Sequence, residues 1–204
     1  MSNFTLEHYK RTLRQYQKSG YSITHMTKHV AGRQLILSHD VDMDITLVPS
    51  MAKAEHSINA VSTYFFRIGA KNYNLLSRNS IDIMRKVIEM GHDVGYHYEA
   101  PANDKHDIDE HIQDVMLFVN KQTGICPRYF NVHEPSRTGI DISTVLPTIN
   151  RCYNAPFFAG FKYLSDSSAH WREGCFSEHV GKYEKMLVLT HPFWWFKDSP
   201  SENY

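Results

Sequence analysis

Residues 38–44, SHDVDMD, set one histidine and three aspartates directly behind the apolar stretch 35–37, LIL. Carboxylates at the end of a buried strand are unfavourable unless a cation, a proton or a hydrogen-bond network compensates them. The pattern recurs four times. DVGY runs into HYE, YFNV into HEPSR, FKYL into SDSSAHW, and MLVL into THPFWW. In parallel α/β folds the carboxyl ends of the strands converge on one mouth, where ligands bind and reactions occur. Asp40 and Asp42 are therefore expected beside His97 and His133, and a bound metal is the simplest compensation for that set. Taken alone, a single aspartate after a strand is more often a helix cap or turn former. Asp44 is read that way, and His92, His106, His111 and His179, read as surface or helix histidines, are given no role. The argument for a site is the coincidence of five polar clusters at equivalent strand ends.

The elements that must position these residues can be read from periodicity. Phe4, Tyr9, Leu13 and Tyr16 have helical spacing, predicting a first helix over about 4–19 that Gly20 ends. QLILS is a strand. Val48, Met51, Ala52 and Ala54 suggest a helix, and VSTYFFRIG is a β-rich run. Ser80 is a candidate cap for a helix carrying Ile81, Met84, Val87 and Ile88, which stops at Gly91. DVGYH is the next strand, and residues 107–119 read as a helix. RYFNVH, FKYLS and MLVLTH complete six or so strands. The β-α-β-α rhythm predicts parallel strands with helical crossovers. An incomplete or distorted α/β barrel and an open doubly wound sheet both fit.

Bulk properties narrow the classes. The 204 residues carry no repeat or long linker, so a single domain over 1–204 is expected. Acids and bases balance at 22 each, which gives no reason to expect a nucleic-acid partner. No stretch approaches the roughly 18 uninterrupted apolar residues of a membrane span. The N-terminal MSNFTLEHYKRTLRQYQ has no apolar signal region, and the three cysteines, Cys126, Cys152 and Cys175, lack C-x-x-C spacing. A cytoplasmic protein with free thiols is expected. Thirteen histidines favour metal or acid–base chemistry, and the aromatic content of 13% suits ring-bearing ligands as well as cores.

As an ordered set over about 35–196, these motifs resemble the polysaccharide deacetylase family, the NodB-homology domain or carbohydrate esterase family 4. The resemblance implies a distorted (β/α) barrel, a divalent ion, most simply Zn²⁺, and hydrolysis of an acyl group on a sugar. SHDVDMD is similar to the first motif and implies Asp40 as general base and Asp42 as metal ligand. The family usually has these aspartates adjacent, and Val41 intervenes here, so the two roles are exchangeable. GHDVGYHYE resembles the second motif, with His97 as its first metal histidine. The second histidine is replaced by Pro101, leaving His133 or Glu99 to complete the set. Residues two apart on a strand share a face, which admits Glu99, but an imidazole is the closer substitute and His133 is preferred. YFNVHEPSR stands in the place of the third motif, YLSDSSAHW of the fourth, and LVLTHP of the fifth, with His191 as the implied catalytic acid.

The resemblance thus implies a hydrolase acting on a C–N amide or an ester, removing acetyl or formyl from a small-molecule or oligosaccharide sugar. With no secretion signal visible, an intermediate of surface polysaccharide synthesis is the expected substrate. Trp171, Trp194 and Trp195 are expected to face the sugar or shield the acid. Asp166 and Arg172 are expected to support this shell, with Asp166 counted among the substrate-binding residues, and Arg137 is expected to hold a phosphate or carboxylate on the substrate. Two rivals share the fold: a non-catalytic carbohydrate-binding or assembly module, and a metal-free hydrolase of a non-sugar amide.

Overall fold

A computed structural model gives the structure, which describes residues 4–26, 28–99, 108–127, 129–134 and 159–197. Among the described residues there are seven strands: β1 (Ser22–Thr24), β2 (Gln34–Val41), β3 (Thr63–Arg67), β4 (Asp93–Tyr98), β5 (Tyr129–Val132), β6 (Lys162–Ser165) and β7 (Lys185–Thr190). They pair in the order β5-β4-β3-β2-β7-β6, with β1 added to the first half of β2, and every pairing is parallel. Helices α1 (Leu6–Lys18), α2 (Val48–His56), α3 (Arg78–Glu89) and α4 (Ile108–Thr123) accompany the strands. The sheet curls into a distorted, half-closed (β/α) barrel, which decides between the two architectures left open by pattern alone.

β2 is buried along its whole length, as a strand covered on both faces must be. Alternation divides its side chains. Leu35 and Leu37 pack outward with Tyr9, Leu13 and Tyr16 of α1, whereas Ile36 points inward with Phe65, Tyr129, Leu187 and Met26 to fill the barrel. Gly95 makes room for that filling, because a Cβ there would lie 2.4 Å from the Phe65 ring.

Three local expectations are corrected. β2 runs on through His39 and Asp40 to Val41, so the first aspartate belongs to the strand itself. Ser77, rather than Ser80, caps α3: its hydroxyl accepts from the Ser80 N–H at 3.2 Å, while the Ser80 hydroxyl donates to the Asn74 carbonyl. α4 continues to Thr123, beyond the expected end, and Gly124 follows in the left-handed region at φ 68°. Asp44 does cap the turn before α2, accepting from Thr46 N at 2.8 Å. No helix among the described residues is long and apolar enough to cross a membrane.

Candidate functional site

Strand register assembles the polar cluster. Asp40 pairs with Phe65, Phe65 with Gly95 and Gly95 with Tyr129, forming one inward row. Two residues further on, Arg67 pairs with His97 and His97 with Asn131, forming the row above it. The lower row is apolar apart from Asp40; the upper row is wholly polar. Asp42 follows Asp40 by two residues and shares its side of the chain, while Val41 turns away into the core. The intervening valine thus lets both aspartates face one cleft.

That cleft has a volume of about 850 Å³ and is lined by Asp40, Asp42, His97, Asn131, His133 and His191, with Tyr163, Arg172, Phe193 and Trp194 among its walls. Asp42 lies at its centre. Its carboxylate is 3.1 Å from His97 Nε2, 4.0 Å from His133 Nε2 and 3.6 Å from His191 Nε2. Burial alone would push its pKa up, but the contact with His97 and the charges of His97, His191 and His133 outweigh that and hold it at about 2. Asp40 is buried beside it, 3.7 Å from His97 Nε2, and accepts from Asn131 Nδ2 at 2.7 Å.

Asn131 is the residue that the strand-end pattern missed. Its Oδ1 accepts from His97 Nδ1 at 2.6 Å while its Nδ2 holds Asp40. With Nδ1 engaged as donor, His97 presents Nε2 toward Asp42. Histidine ligands of metals are oriented by this kind of outer hydrogen bond. The signal was an asparagine in the strand YFNV two residues before His133, on the same face.

Asp42, His97 and His133 offer ligand atoms that all lie within 4.8 Å of one another. Asp42 Oδ1 is buried with no hydrogen-bond partner, 3.1 Å from His97 Nε2. An orphaned carboxylate oxygen facing two imidazoles is a donor set that fits a divalent ion of the zinc type. Glu99 does not join it. Its carboxylate forms a two-point ion pair with Arg67, with Arg67 Nε donating to Oε2 at 3.0 Å and Nη2 to Oε1.

His191, one residue beyond β7, reaches the cleft from the opposite wall. Asp166 lies beneath it and is fully buried. The Asp166 carboxylate accepts from His191 Nδ1 at 2.7 Å, from the His191 backbone N–H at 3.0 Å and from Trp195 Nε1 at 2.8 Å. Burial would lower the imidazole pKa, but the hydrogen bond and charge of Asp166, reinforced by Asp40 and Asp42, raise it to about 9. His191 is therefore cationic at neutral pH, with Nε2 toward Asp42.

Asp166, expected at the substrate or in support of the shell around it, lies beneath His191, where His191 and Trp195 supply its three donors. Trp195 is buried and acts with it. Trp171 is also buried, stacked on Phe176 at 5.5 Å, and borders a smaller pocket of about 380 Å³ together with Tyr163 and Arg172. Trp194 lines the main cleft, packed against Phe193. Arg137, Pro101, His106 and Cys152 lie outside the described residues. Cys126 and Cys175 are free thiols. His92 and His179, read as surface or helix histidines, are buried: His92 lies against Ser62 and the Ala52 carbonyl, and His179 against the Glu173 carbonyl.

No family model matches the sequence, and no curated protein matches it. Solved structures do. A mutant of a carbohydrate esterase family 4 pseudoenzyme, whose wild-type form is from Bacillus anthracis, matches with a TM-score of 0.50 and 14% identity over 80% of this chain and 58% of that one. The chitin deacetylase from the fungal pathogen Colletotrichum lindemuthianum matches at 0.44 and 16%, over 78% and 73% of the two chains. A family 4 acetyl xylan esterase from Clostridium thermocellum, in complex with a cobalt ion, matches at 0.44 and 14%, over 78% and 73%. Most of these structures are described as carbohydrate esterase family 4 proteins, and the fold that this chain shares with the pseudoenzyme is the distorted (β/α) barrel.

Proposed function

We propose that this chain is a divergent polysaccharide deacetylase, a metal-dependent hydrolase that removes an N-acyl group, acetyl or formyl, from a sugar. The observation that carries the reading is the meeting of three kinds of group in one cleft. These are a candidate ligand set at Asp42, His97 and His133 with the orphaned Asp42 Oδ1 at its centre, a buried carboxylate at Asp40, and a cationic imidazole at His191.

A divalent ion held by Asp42, His97 and His133 would polarise the acyl carbonyl and acidify water toward a pKa of about 7. Asp40 accepts the proton of the attacking water. His191, held by Asp166 with Nε2 toward the cleft, donates a proton to the leaving amine nitrogen, which departs poorly as an anion. Trp194 and Phe193 offer apolar faces to the sugar ring. An intermediate of surface polysaccharide synthesis and a cytoplasmic location belong to the same proposal, and the free Cys126 and Cys175 are in keeping with it.

The test is metal content together with release of acetate or formate from N-acyl amino sugars, for the wild type, Asp40→Asn and His191→Ala. Loss of a positioned acid or base costs about 10²–10⁴ in rate, and both variants are expected to lose that while keeping the metal. Loss of metal from Asp40→Asn, with retention in Asp42→Asn, would exchange the roles of the two aspartates. A binding module would hold sugar with neither turnover nor a need for stoichiometric zinc.

A further inference from the structure

We propose that Arg67 is a resident cation that competes with the metal for His133, and that Glu99 sets the strength of that competition. The inference rests on the reading of Asp42, His97 and His133 as a metal site. Arg67 ends β3 in the same row as His97, and its Nη1 donates to His133 Nε2 at 3.3 Å. That nitrogen is also the one 4.0 Å from Asp42. A lone pair engaged by a guanidinium is not free to bind an ion, and arginine stays charged at every pH of interest. For His133 to act as a ligand through Nε2, the contact with Arg67 has to break.

Glu99 is placed to take up the released group. It already binds Arg67 through Nε and Nη2, leaving Nη1 as the nitrogen aimed at His133. The carboxylate neutralises a positive charge that would otherwise repel a divalent ion, although Glu99 is itself partly exposed and that repulsion is only partly screened. The arrangement explains why an acidic residue so near the cleft is no ligand. It also predicts a site that exchanges its ion more readily than the same three ligands would without the arginine.

The experiment titrates Zn²⁺ into the full-length apoprotein against a chromophoric chelator. Visible absorption of the Co²⁺ form serves as a second readout of coordination. Arg67→Met is expected to tighten Zn²⁺ binding about tenfold or more, and Glu99→Gln to weaken it by a similar factor. The double variant Arg67→Met/Glu99→Gln separates this from ligation by Glu99. With the arginine gone, the glutamate has nothing to restrain, so the double variant is expected to bind as tightly as Arg67→Met alone. Adding His133→Ala to Arg67→Met should abolish the gain. Unchanged or weaker binding in Arg67→Met, checked with Arg67→Gln to control for packing, overturns the proposal, as does loss of the gain in the double variant. If those variants fail while Asp42→Ala still abolishes zinc binding, the metal site survives and only the role of Arg67 falls. If wild type and variants alike take up no ion, both fall.

Discussion

Asp166 grips His191 at two points, accepting from both its backbone N–H and its Nδ1, so that the carboxylate fixes the ring's position and its charge together. Asp166→Asn removes the negative charge and leaves one acceptor oxygen for three donors. The imidazole pKa should then fall from about 9 by roughly two units or more, as the loss of an adjacent buried carboxylate implies. The sign follows from linkage. A raised pKa in the folded state contributes stability that is fully present below the ordinary histidine value and is lost as pH rises through about 9. The variant should therefore lose stability chiefly at neutral and lower pH, and the alkaline limb of its pH–rate profile should move down. An NMR titration of the His191 ring checks the first step, and the rate profile the second. An unmoved limb would mean that another group supplies the proton.

Asn131 yields a prediction that separates metal binding from proton transfer. Asn131→Ala removes the acceptor for His97 Nδ1 and the donor to Asp40. Loss of an outer partner of this kind typically costs about 10–100-fold in metal affinity or activity, and both should fall. Asn131→Asp keeps the acceptor for His97 but sets a second carboxylate against Asp40, so it should hold metal while turnover drops at neutral pH. Chelator competition and kcat measured on the two variants make the comparison. Equal metal affinity in Asn131→Ala and the wild type would remove Asn131 from the support of His97.

The contribution of the cleft wall is read from KM. Trp194 lines the cleft with one face packed on Phe193, ring centroids 3.8 Å apart. A ring that contacts substrate and transition state alike changes KM without changing kcat. Trp194→Ala should raise KM about fivefold to tenfold, or roughly 1–1.4 kcal/mol, on an N-acyl amino sugar. Trp171→Ala should act differently. Buried on Phe176, Trp171 should lower stability first, by about 3–5 kcal/mol. Thermal melts beside steady-state kinetics distinguish the two tryptophans.

Much of this site is legible in the sequence because strand ends in a parallel barrel are few and converge on one mouth. SHDVDMD, HYE and THP suffice to bring Asp40, Asp42, His97 and His191 to one mouth. The same rule applied to TYFFR points to Arg67, whose charge also ends an apolar run. What pattern does not supply is direction beneath the surface. Asp166 and Trp171 belong to one motif, and both turn inward: Asp166 toward His191 and Trp195, which lie 25 and 29 residues further along the chain, and Trp171 onto the nearby Phe176. Asn131 and Ser77 fail for a related reason: which of several nearby polar residues takes a given hydrogen bond depends on register, which spacing leaves undetermined.

Glu55 carries the last prediction, and it concerns stability rather than chemistry. This carboxylate in α2 is fully buried on the outer face of the sheet, behind the site. It accepts from Tyr9 at 2.6 Å, His39 at 2.9 Å, Ser62 at 2.8 Å and Tyr64 at 2.7 Å, while His39 also pairs with Thr190 at 2.7 Å. Glu55 thereby ties α1, α2, β2 and β3 together, and through His39 it touches β7 one residue before His191. Burial would raise its pKa, but the charge and hydrogen bond of His39, with His92 and Tyr9, bring it down to about 2. A depressed carboxylate contributes stability that is present above its ordinary value of 4.5 and is lost as pH falls through about 2. Glu55→Gln offers one acceptor oxygen and two donors where four donors converge, and breaking a buried network of this sort costs about 3–5 kcal/mol. At pH 7 the variant should therefore unfold at markedly lower urea concentration than the wild type. As pH falls from 4.5 toward 2 the gap should narrow by about 3 kcal/mol, at 1.36 kcal/mol per unit of pKa shift, because only the wild type loses the contribution of Glu55. Urea denaturation of both proteins across that range is the measurement. A gap that stays constant with pH would mean that Glu55 is held neutral, its donors satisfied by a protonated acid rather than by a charge.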